Sequence, residues 1–236
     1  HLSIRRQRQM CIRDRPSAWL ATTGVNLNKS LPENPAVCLI AVKPQIIFEA
    51  ISNLNRYKQN GTLFISIAAG ITLKQLEQAI SSESTIIRAM PNTPSAIGKG
   101  ITALIGNSAA KKEHMMISKI LLEKISEVVE LEHEDQMDVV TGLSGSGPAY
   151  VFYLIESLTN AGIELGLSKE KALHLAKATV AGSGALAMNS ADDPSVLREN
   201  VTSPNGTTQA GLEILMDKKY GSVSYTHLTL PTNREV

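Results

Sequence analysis

Three hydroxyl-bearing side chains surround one tight turn near the end of the sequence. Pro204-Asn205-Gly206 is a strong turn signal, and Ser203, Thr207 and Thr208 flank it. A helix is expected to begin near Thr207, and the first N–H groups of a helix have no partner within it. A helix N-terminus favours a carboxylate by about 0.3 to 2 kcal/mol, and each charge-assisted hydrogen bond adds about 1.5 to 3 kcal/mol. The turn therefore predicts an anion pocket, and helix capping by Thr207 without a ligand is the alternative.

The same stretch contains two matches to the N-glycosylation pattern, at Asn200 and Asn205. Glycosylation requires export, yet Cys11 and Cys38 are the only cysteines and are too few for a disulfide framework. A reducing compartment fits this cysteine usage best. We therefore expect a cytoplasmic protein in which both acceptor matches arise by chance.

Three loops that follow predicted strands share small, proline-bearing or glycine-bearing sequences. They are Ala41-Val42-Lys43-Pro44, Ile67-Ala68-Ala69-Gly70 and Met90-Pro91-Asn92-Thr93-Pro94. Open parallel sheets bind ligands beyond the carboxyl ends of their strands. Small residues let a flat or phosphate-bearing ligand approach the backbone, and Lys43 adds a positive charge. These loops are consistent with a nucleotide cofactor, and plain strand-to-helix connections remain an equal alternative.

Other chemical motifs are absent or misplaced. The pattern Gly-x-Gly-x-x-Gly does not occur in the first half, and Gly182-Ser-Gly184-Ala-Leu-Ala187 lies inside a helical pattern. We therefore expect the phosphate loop of any dinucleotide site to come from sequence upstream of Arg15. The histidines at 114, 133 and 174 are isolated, so we predict no metal site, and no Ser/His/Asp arrangement stands out.

The elements that must position these loops alternate in the first half of the chain. Strands are predicted at 36–42, 62–68, 85–90, 101–107 and 126–132, with helices at 45–57, 72–80 and 110–124. Ile47, Ile51 and Leu54 share one face of the first helix, and Thr72 with Gln75 predicts a capping box. This alternation predicts an α/β Rossmann-like parallel sheet domain.

After Gly147-Pro148 the pattern is almost entirely helical, with helices predicted at 149–165, 169–189 and 207–219. Pro148 suits the first turn of a helix. Small and apolar residues crowd more than one face of 174–188, which predicts an all-α dimerisation domain that buries this surface against a second copy. Packing on its own sheet domain is the alternative.

The charge composition bears on the binding partners, and the sequence of the two ends bears on where the folded domains begin and end. Lys and Arg (23) nearly balance Asp and Glu (22) in the 236 residues, which gives no reason to expect nucleic acid or an anionic membrane as a partner. The arginine-rich 1–15 and threonine-rich 223–236 differ from the rest and are interpreted as non-native tails, with ordinary disordered termini as the alternative. The partial dinucleotide-binding domain is then expected at 16–135 and the helical domain at 136–222.

The motif PSVLRENVTSPNGTTQAGLEIL (194–215) resembles the signature of pyrroline-5-carboxylate reductases. The motifs TGLSGSGPAYVF (141–152), AMPNTP (89–94), SIAAGIT (66–72) and AVKP (41–44) resemble that family in the same order and spacing. The resemblance covers roughly residues 22 to 222. It implies reduction of 1-pyrroline-5-carboxylate to L-proline by NADPH or NADH, the last step of proline biosynthesis. It also implies a homodimer and a ring of dimers.

The resemblance assigns residues by position. Cofactor contacts fall on Asn28, Ala41, Val42, Lys43, Pro44, Ile67, Ala68, Ala69 and Asn200, and substrate contacts fall on Ser203, Gly206, Thr207 and Thr208. Backbone N–H groups of the turn would hold the substrate carboxylate, and the Thr208 hydroxyl, as the catalytic group, would bind the imine nitrogen. Asn205 stands where the family commonly has glycine, a change that asparagine tolerates because it accepts left-handed backbone angles.

Two alternatives remain open at this stage. A related Rossmann reductase of 3-hydroxy acids or of other imines is disfavoured because no lysine lies near Gly147, where a catalytic one would be expected. A non-catalytic remnant that dimerises or binds a ligand would lack turnover altogether. Turnover of 1-pyrroline-5-carboxylate separates these readings.

Overall fold

The computed structural model describes residues 9–10, 22, 26–27, 32–57 and 61–217. Asn28, predicted to contact a cofactor, lies outside these residues, as do the predicted tails apart from residues 9–10. The described residues fall into two compact units, one drawn from 1–89 and 106–118 and the other from 90–105 and 119–236. The domain limits expected from the sequence stay a prediction.

Seven strands are described, and most lie close to the predicted positions. They are β1 (Gln9–Met10), β2 (Asn26–Leu27), β3 (Val37–Ile40), β4 (Leu63–Ser66), β5 (Thr85–Pro91), β6 (Gly100–Gly106) and β7 (Ser126–Glu130).

The α-helices of the described chain follow the same order. They are α1 (Ile47–Ile51), α2 (Leu73–Ala79), α3 (Lys112–Leu122), α4 (Gln136–Val140), α5 (Gly147–Glu164), α6 (Lys169–Asn189), α7 (Pro194–Asn200) and α8 (Thr207–Asp217). Short 3₁₀ helices span Pro44–Ile46, Ser52–Tyr57 and Thr93–Ile97, and a π-helix spans Thr141–Gly145. None of these helices is long and apolar enough to cross a membrane.

Strands β3 to β7 form one sheet in the order β3-β4-β5-β6-β7, and β1 pairs with β2 separately. The pairs β3–β4, β4–β5 and β6–β7 are parallel. Between β5 and β6 the direction reverses, because the N–H of Asn107 just after β6 donates to the carbonyl of Ile86 at the start of β5, at 2.9 Å. Residues 92–99 between them are too few for a parallel crossover, which takes a dozen or more.

The predicted Rossmann-like sheet followed by an all-α domain is therefore confirmed as the fold class, with one antiparallel pair that the sequence did not predict.

In the first unit, the apolar pattern positions the core as predicted. All four residues of β4 are buried, and Ile47, Ile51 and Leu54 are 0%, 1% and 6% exposed. The regular helix predicted over 45–57 is wrong, however, since only Ile47–Ile51 is α-helical and 3₁₀ turns lie on both sides. The Ser52 hydroxyl donates to the Glu49 carbonyl at 2.7 Å, a local bond of the kind that competes with α-helix.

The capping box at the start of α2 is confirmed. The Gln75 N–H donates to the Thr72 hydroxyl at 3.2 Å, and the Thr72 N–H donates to the Gln75 side-chain oxygen at 2.9 Å. Both bonds satisfy N–H groups that helix geometry leaves unpaired, and such a cap stabilises a helix by about 1 kcal/mol. The cap fixes where the chain turns from the end of β4 into α2.

In the second unit, α5 and α6 pack closely through small residues. A Cβ on Gly162 would come within 3.1 Å of the Ala172 Cβ, and Ala172 and Ala176 are buried. Pro148 lies in the first turn of α5 as predicted. Large apolar side chains elsewhere on these helices are exposed in the single chain, among them Phe152 at 61% and Met188 at 71%.

Candidate functional site

The loop after β3 carries the first group of predicted cofactor residues. Ala41 and Lys43 are exposed, and Lys43 has extended backbone angles, with φ of −61° and ψ of 143°. Pro44 then opens a 3₁₀ turn, closed by the Ile46 N–H donating to the Lys43 carbonyl at 3.1 Å. The loop therefore presents the Lys43 ammonium group at the carboxyl edge of β3.

The loop after β4 carries the second group. Its start is tied to β3, because the Ile67 N–H donates to the Ile40 carbonyl at 3.1 Å. Ala68 is 4% exposed and anchors the loop, whereas Ala69 is exposed. Gly70 has a φ of 74°, a left-handed conformation that glycine adopts readily, and it turns the chain toward α2. Since β3 and β4 are parallel, with Ile40 opposite Ser66, both loops lie at the same edge.

The predicted substrate residues lie in one turn between α7 and α8. The Gly206 N–H donates to the Ser203 carbonyl at 3.1 Å and closes the turn. Asn205 has a φ of 57°, and it is the only non-glycine residue with positive φ in the described chain. The predicted tolerance of asparagine for left-handed angles is therefore confirmed. Ser203, Thr207 and Thr208 are exposed, so the turn presents their hydroxyl groups to solvent.

Helix α8 begins at Thr207 with Gly206 as its cap residue. The Gly206 carbonyl accepts from the Ala210 N–H at 3.3 Å, which is the first bond of the helix. The alternative of capping by Thr207 is therefore wrong, because Thr207 is already inside the helix and glycine has no side chain to cap with. The Gln209 side chain, in the first turn of α8, reaches back instead. Its oxygen accepts from the N–H of Asn205, the residue before the cap residue Gly206, at 2.8 Å.

The residues just before the turn are held by local bonds. The Thr202 hydroxyl donates to the Arg198 carbonyl at 2.6 Å, and the Thr202 N–H donates to the Glu199 carbonyl at 2.9 Å. Asn200 is the last residue of α7 and is exposed. Residues 200 to 208 carry no ionisable side chain, so any attraction for an anion comes from the N-terminus of α8.

Other reactive groups in the described residues do not form a competing site. No group of three His, Cys, Asp or Glu side chains among them could hold a metal ion. Burial raises the pKa of the Cys38 thiol to about 11, so the thiol stays protonated near neutral pH and is a poor nucleophile. The Ser195 hydroxyl and N–H lower the pKa of Asp193, which caps α7 through a 2.8 Å bond to that N–H.

The structure also contains a polar contact that the sequence analysis missed. The Asn92 side chain joins the loop after β5 to the π-helix, because its Nδ2 donates to the Ser144 carbonyl at 3.2 Å. Its Oδ1 accepts from the Ile101 N–H at 3.0 Å. The two partners are backbone groups nine and 52 residues further along the chain, and no local side-chain pattern predicts bonds to such groups.

A sequence profile described as pyrroline-5-carboxylate reductase dimerisation matches residues 134–234. The chain is 38% identical over 198 residues to pyrroline-5-carboxylate reductase 1 of Bacillus spizizenii, a match that covers 84% of this chain and 66% of that relative. The chain thus spans about two thirds of the length of that relative.

Two solved structures are similar over nearly the whole chain. A pyrroline-5-carboxylate reductase from Coxiella burnetii gives a TM-score of 0.87 at 32% identity, covering 96% of this chain and 86% of that one. The Plasmodium falciparum pyrroline carboxylate reductase with NADP bound gives a TM-score of 0.85 at 28% identity, covering 96% and 85%.

Proposed function

The chain belongs to the pyrroline-5-carboxylate reductase family, and from this premise we propose that it reduces 1-pyrroline-5-carboxylate to L-proline with NADPH or NADH. The turn at Ser203–Thr208 carries the proposal. It opens an eleven-residue helix, contains no charged side chain and presents three hydroxyls beside unpaired helix N–H groups. A small cyclic imine with one carboxylate matches this combination of an anion site and neutral hydroxyl groups.

The substrate carboxylate would be held by backbone N–H groups at the start of α8. A helix N-terminus combines unpaired N–H groups with the positive end of the helix dipole, so it binds an anion without a cationic side chain. Gly206 brings the backbone of the turn close to the ligand, and Ser203 and Thr207 supply further hydrogen bonds. Fixing the carboxylate in this way fixes the orientation of the ring.

The cofactor would be held at the carboxyl edge of β3 and β4. Exposed Ala41 and Ala69 leave the backbone open to a flat ring, and the Lys43 ammonium supplies a positive charge for phosphate. Val42, Pro44, Ile67 and Ala68 complete these two loops, and Asn28 and Asn200 are proposed as further contacts. This set of small residues with one cation fits a dinucleotide, which supplies the hydride for the reaction.

Thr208 is proposed as the catalytic residue. Reduction adds a hydride to the imine carbon and a proton to the imine nitrogen, so the chain must favour the protonated imine and align its carbon. The Thr208 hydroxyl would accept a hydrogen bond from that protonated nitrogen and hold the ring in line for attack. Orientation of this kind contributes a large share of the rate in reactions that a cofactor carries out.

The assembly and setting follow from the same family. The match to a dimerisation profile over 134–234 and the exposed apolar side chains of α5 and α6 support a homodimer. We propose further that dimers join into a ring. The presence of only two cysteines in the sequence supports a reducing compartment, so we place the enzyme in the cytoplasm, at the last step of proline biosynthesis.

The decisive experiment supplies 1-pyrroline-5-carboxylate with NADPH or NADH and measures cofactor oxidation together with L-proline. Because the chain spans 66% of the Bacillus relative, a second sample joins residues 22–222 to the parts of that relative that the match leaves out. We expect one proline for each cofactor oxidised. Oxidation of a 3-hydroxy acid instead would support a related reductase. No turnover in either sample would indicate a non-catalytic ligand-binding protein.

Replacing Gly206 by alanine is expected to raise the KM for 1-pyrroline-5-carboxylate about tenfold. The added Cβ would lie 3.1 Å from the Ser203 carbonyl oxygen and 3.5 Å from the Ser203 Cβ, so the turn must shift. The shift displaces the N–H groups at the start of α8, and one weakened charge-assisted bond accounts for about 1.5 kcal/mol. Steady-state kinetics measure the change.

Gly211 provides the matched control for this substitution. It lies inside α8, and a Cβ there meets nothing within 4 Å. Gly211→Ala should leave the KM unchanged and favour the helix by up to about 1 kcal/mol. Equal KM values for both variants would show that Gly206 does not contribute to binding of the substrate carboxylate.

A further inference from the structure

Two segments of the second unit carry none of the residues assigned to substrate or cofactor and lie against each other. One is the loop Met90–Pro94 after β5, and the other is the π-helix Thr141–Gly145. A Cβ on Gly145 would come within 2.8 Å of the Met90 Cε, so the Met90 side chain lies directly against the π-helix backbone. π-helical turns are rare and occur frequently at functional sites.

The π-helix leaves one carbonyl without its usual donor. In an α-helix the Ser144 carbonyl would accept from the N–H of residue 148, but residue 148 is proline and has none. The N–H of the next residue, Ala149, donates to the Ser146 carbonyl at 2.9 Å. Ser144 is half-buried, and a carbonyl shielded from water without a donor costs up to about 1 to 3 kcal/mol, so a partner from elsewhere in the chain is favoured.

Asn92 supplies this partner. Its Nδ2 donates to the Ser144 carbonyl at 3.2 Å, and its Oδ1 accepts from the Ile101 N–H at 3.0 Å. The orientation of the amide is set by these partners, because a carbonyl must face the NH₂ group and an N–H must face the oxygen. Asn92 therefore fastens the end of β5 to β6 on one side and to the π-helix on the other.

The loop that contains Asn92 is closed by its own backbone hydrogen bonds. The Thr93–Ile97 turn ends at Gly98, whose φ is 70°, and the Gly98 and Lys99 N–H groups donate back to Ser95 and Pro94 at 3.1 Å. A Cβ on Gly100 would lie 2.8 Å from the Ser95 Cα, so the loop is also closely packed. Asn92 therefore links a closely packed turn to the π-helix.

We propose that Asn92 is a positioning residue for the reduction, fixing Met90 and Pro91 at the carboxyl end of β5 through its bridge to Ser144. This role rests on the proposed function. Strand β5 runs parallel to β4, so its carboxyl end lies at the edge where open α/β sheets bind ligands. A displacement of about 1 Å in a residue that aligns reactants can cost on the order of 10²-fold in rate.

Asn92→Asp tests the bridge with the least change in shape. The carboxylate still accepts from the Ile101 N–H but cannot donate to the Ser144 carbonyl. We expect kcat for 1-pyrroline-5-carboxylate reduction to fall about tenfold or more. The KM for this substrate should stay within about twofold of the wild-type value, because the turn at 203–208 holds the carboxylate. An unchanged kcat in the variant would overturn the proposal.

Pro148→Ala separates positioning from stability. Alanine at 148 provides an N–H for the Ser144 carbonyl, so the double variant Asn92→Asp/Pro148→Ala should regain thermal stability lost in Asn92→Asp. We expect its kcat to remain low, because the loop is still not tied to the π-helix, while Pro148→Ala alone keeps the wild-type kcat. Recovery of kcat together with stability would show a structural role and overturn the proposal.

The wild-type assay distinguishes failure of this inference from failure of the proposed function. No proline formation by the wild-type samples would overturn the proposed function, and the role of Asn92 with it. An active wild type with an Asn92→Asp variant of equal kcat would overturn the role of Asn92 alone.

Discussion

Replacing Thr208 by alanine is expected to lower kcat for 1-pyrroline-5-carboxylate reduction by about 10²-fold or more. Thr208 is exposed in the first turn of α8, two residues after Gly206, where a hydroxyl can reach a ring whose carboxylate is held by the helix N-terminus. Loss of a group that binds or transfers a proton at the reacting atom typically costs 10²-fold to 10⁴-fold. Steady-state kinetics at saturating cofactor measure this effect.

Two further substitutions at Thr208 identify the responsible atom. Thr208→Ser keeps the hydroxyl and should retain most of the activity, whereas Thr208→Val keeps the shape and should be as slow as alanine. The KM for the substrate should change little in all three variants if the hydroxyl acts mainly in the transition state. An effect below threefold for both alanine and valine would remove Thr208 from the mechanism.

Local sequence signals predicted the parts of this fold that depend on local chemistry. The capping box of Thr72 and Gln75 forms because both partners lie within one helical turn. The buried face of Ile47, Ile51 and Leu54 follows from spacing alone, even though the backbone becomes 3₁₀ from Ser52 onward. The turn at Asn205-Gly206 follows from residues that accept its backbone angles.

The features that the sequence did not predict depend on contacts between distant residues. The antiparallel direction of β6 follows from the short connection 92–99. The pattern of apolar runs predicts a strand there but does not distinguish parallel from antiparallel pairing. The bridge from Asn92 to Ser144 spans 52 residues. Its local signal is Pro148, which removes the donor that the Ser144 carbonyl would otherwise use.

Helix α7 was also missed, although its local signal is clear. Asp193 before Pro194 is a typical cap residue followed by a first-turn proline.

Asn107 is expected to be the most sensitive polar residue of the first unit for stability. It is 7% exposed, and its Nδ2 donates to the Ser84 carbonyl at 2.9 Å and to the Glu77 carboxylate at 3.0 Å. Its Oδ1 accepts from the Ile86 N–H at 3.1 Å. Asn107→Leu leaves two buried backbone groups without partners, at about 1 to 3 kcal/mol each. We expect the free energy of unfolding to fall by about 3 kcal/mol or more.

Urea unfolding at fixed protein concentration measures this loss, and hydrogen exchange of the Ile86 amide locates it. Asn189→Leu is the matched control, because Asn189 is exposed and its Nδ2 makes one bond, to the Ala185 carbonyl at 2.8 Å. That variant should stay within about 0.5 kcal/mol of the wild type. The Ile86 amide should exchange faster only in Asn107→Leu, since the side-chain oxygen that protects it is lost there. Equal stability of the two variants would mean that the β5 and β6 backbone satisfies these groups without Asn107.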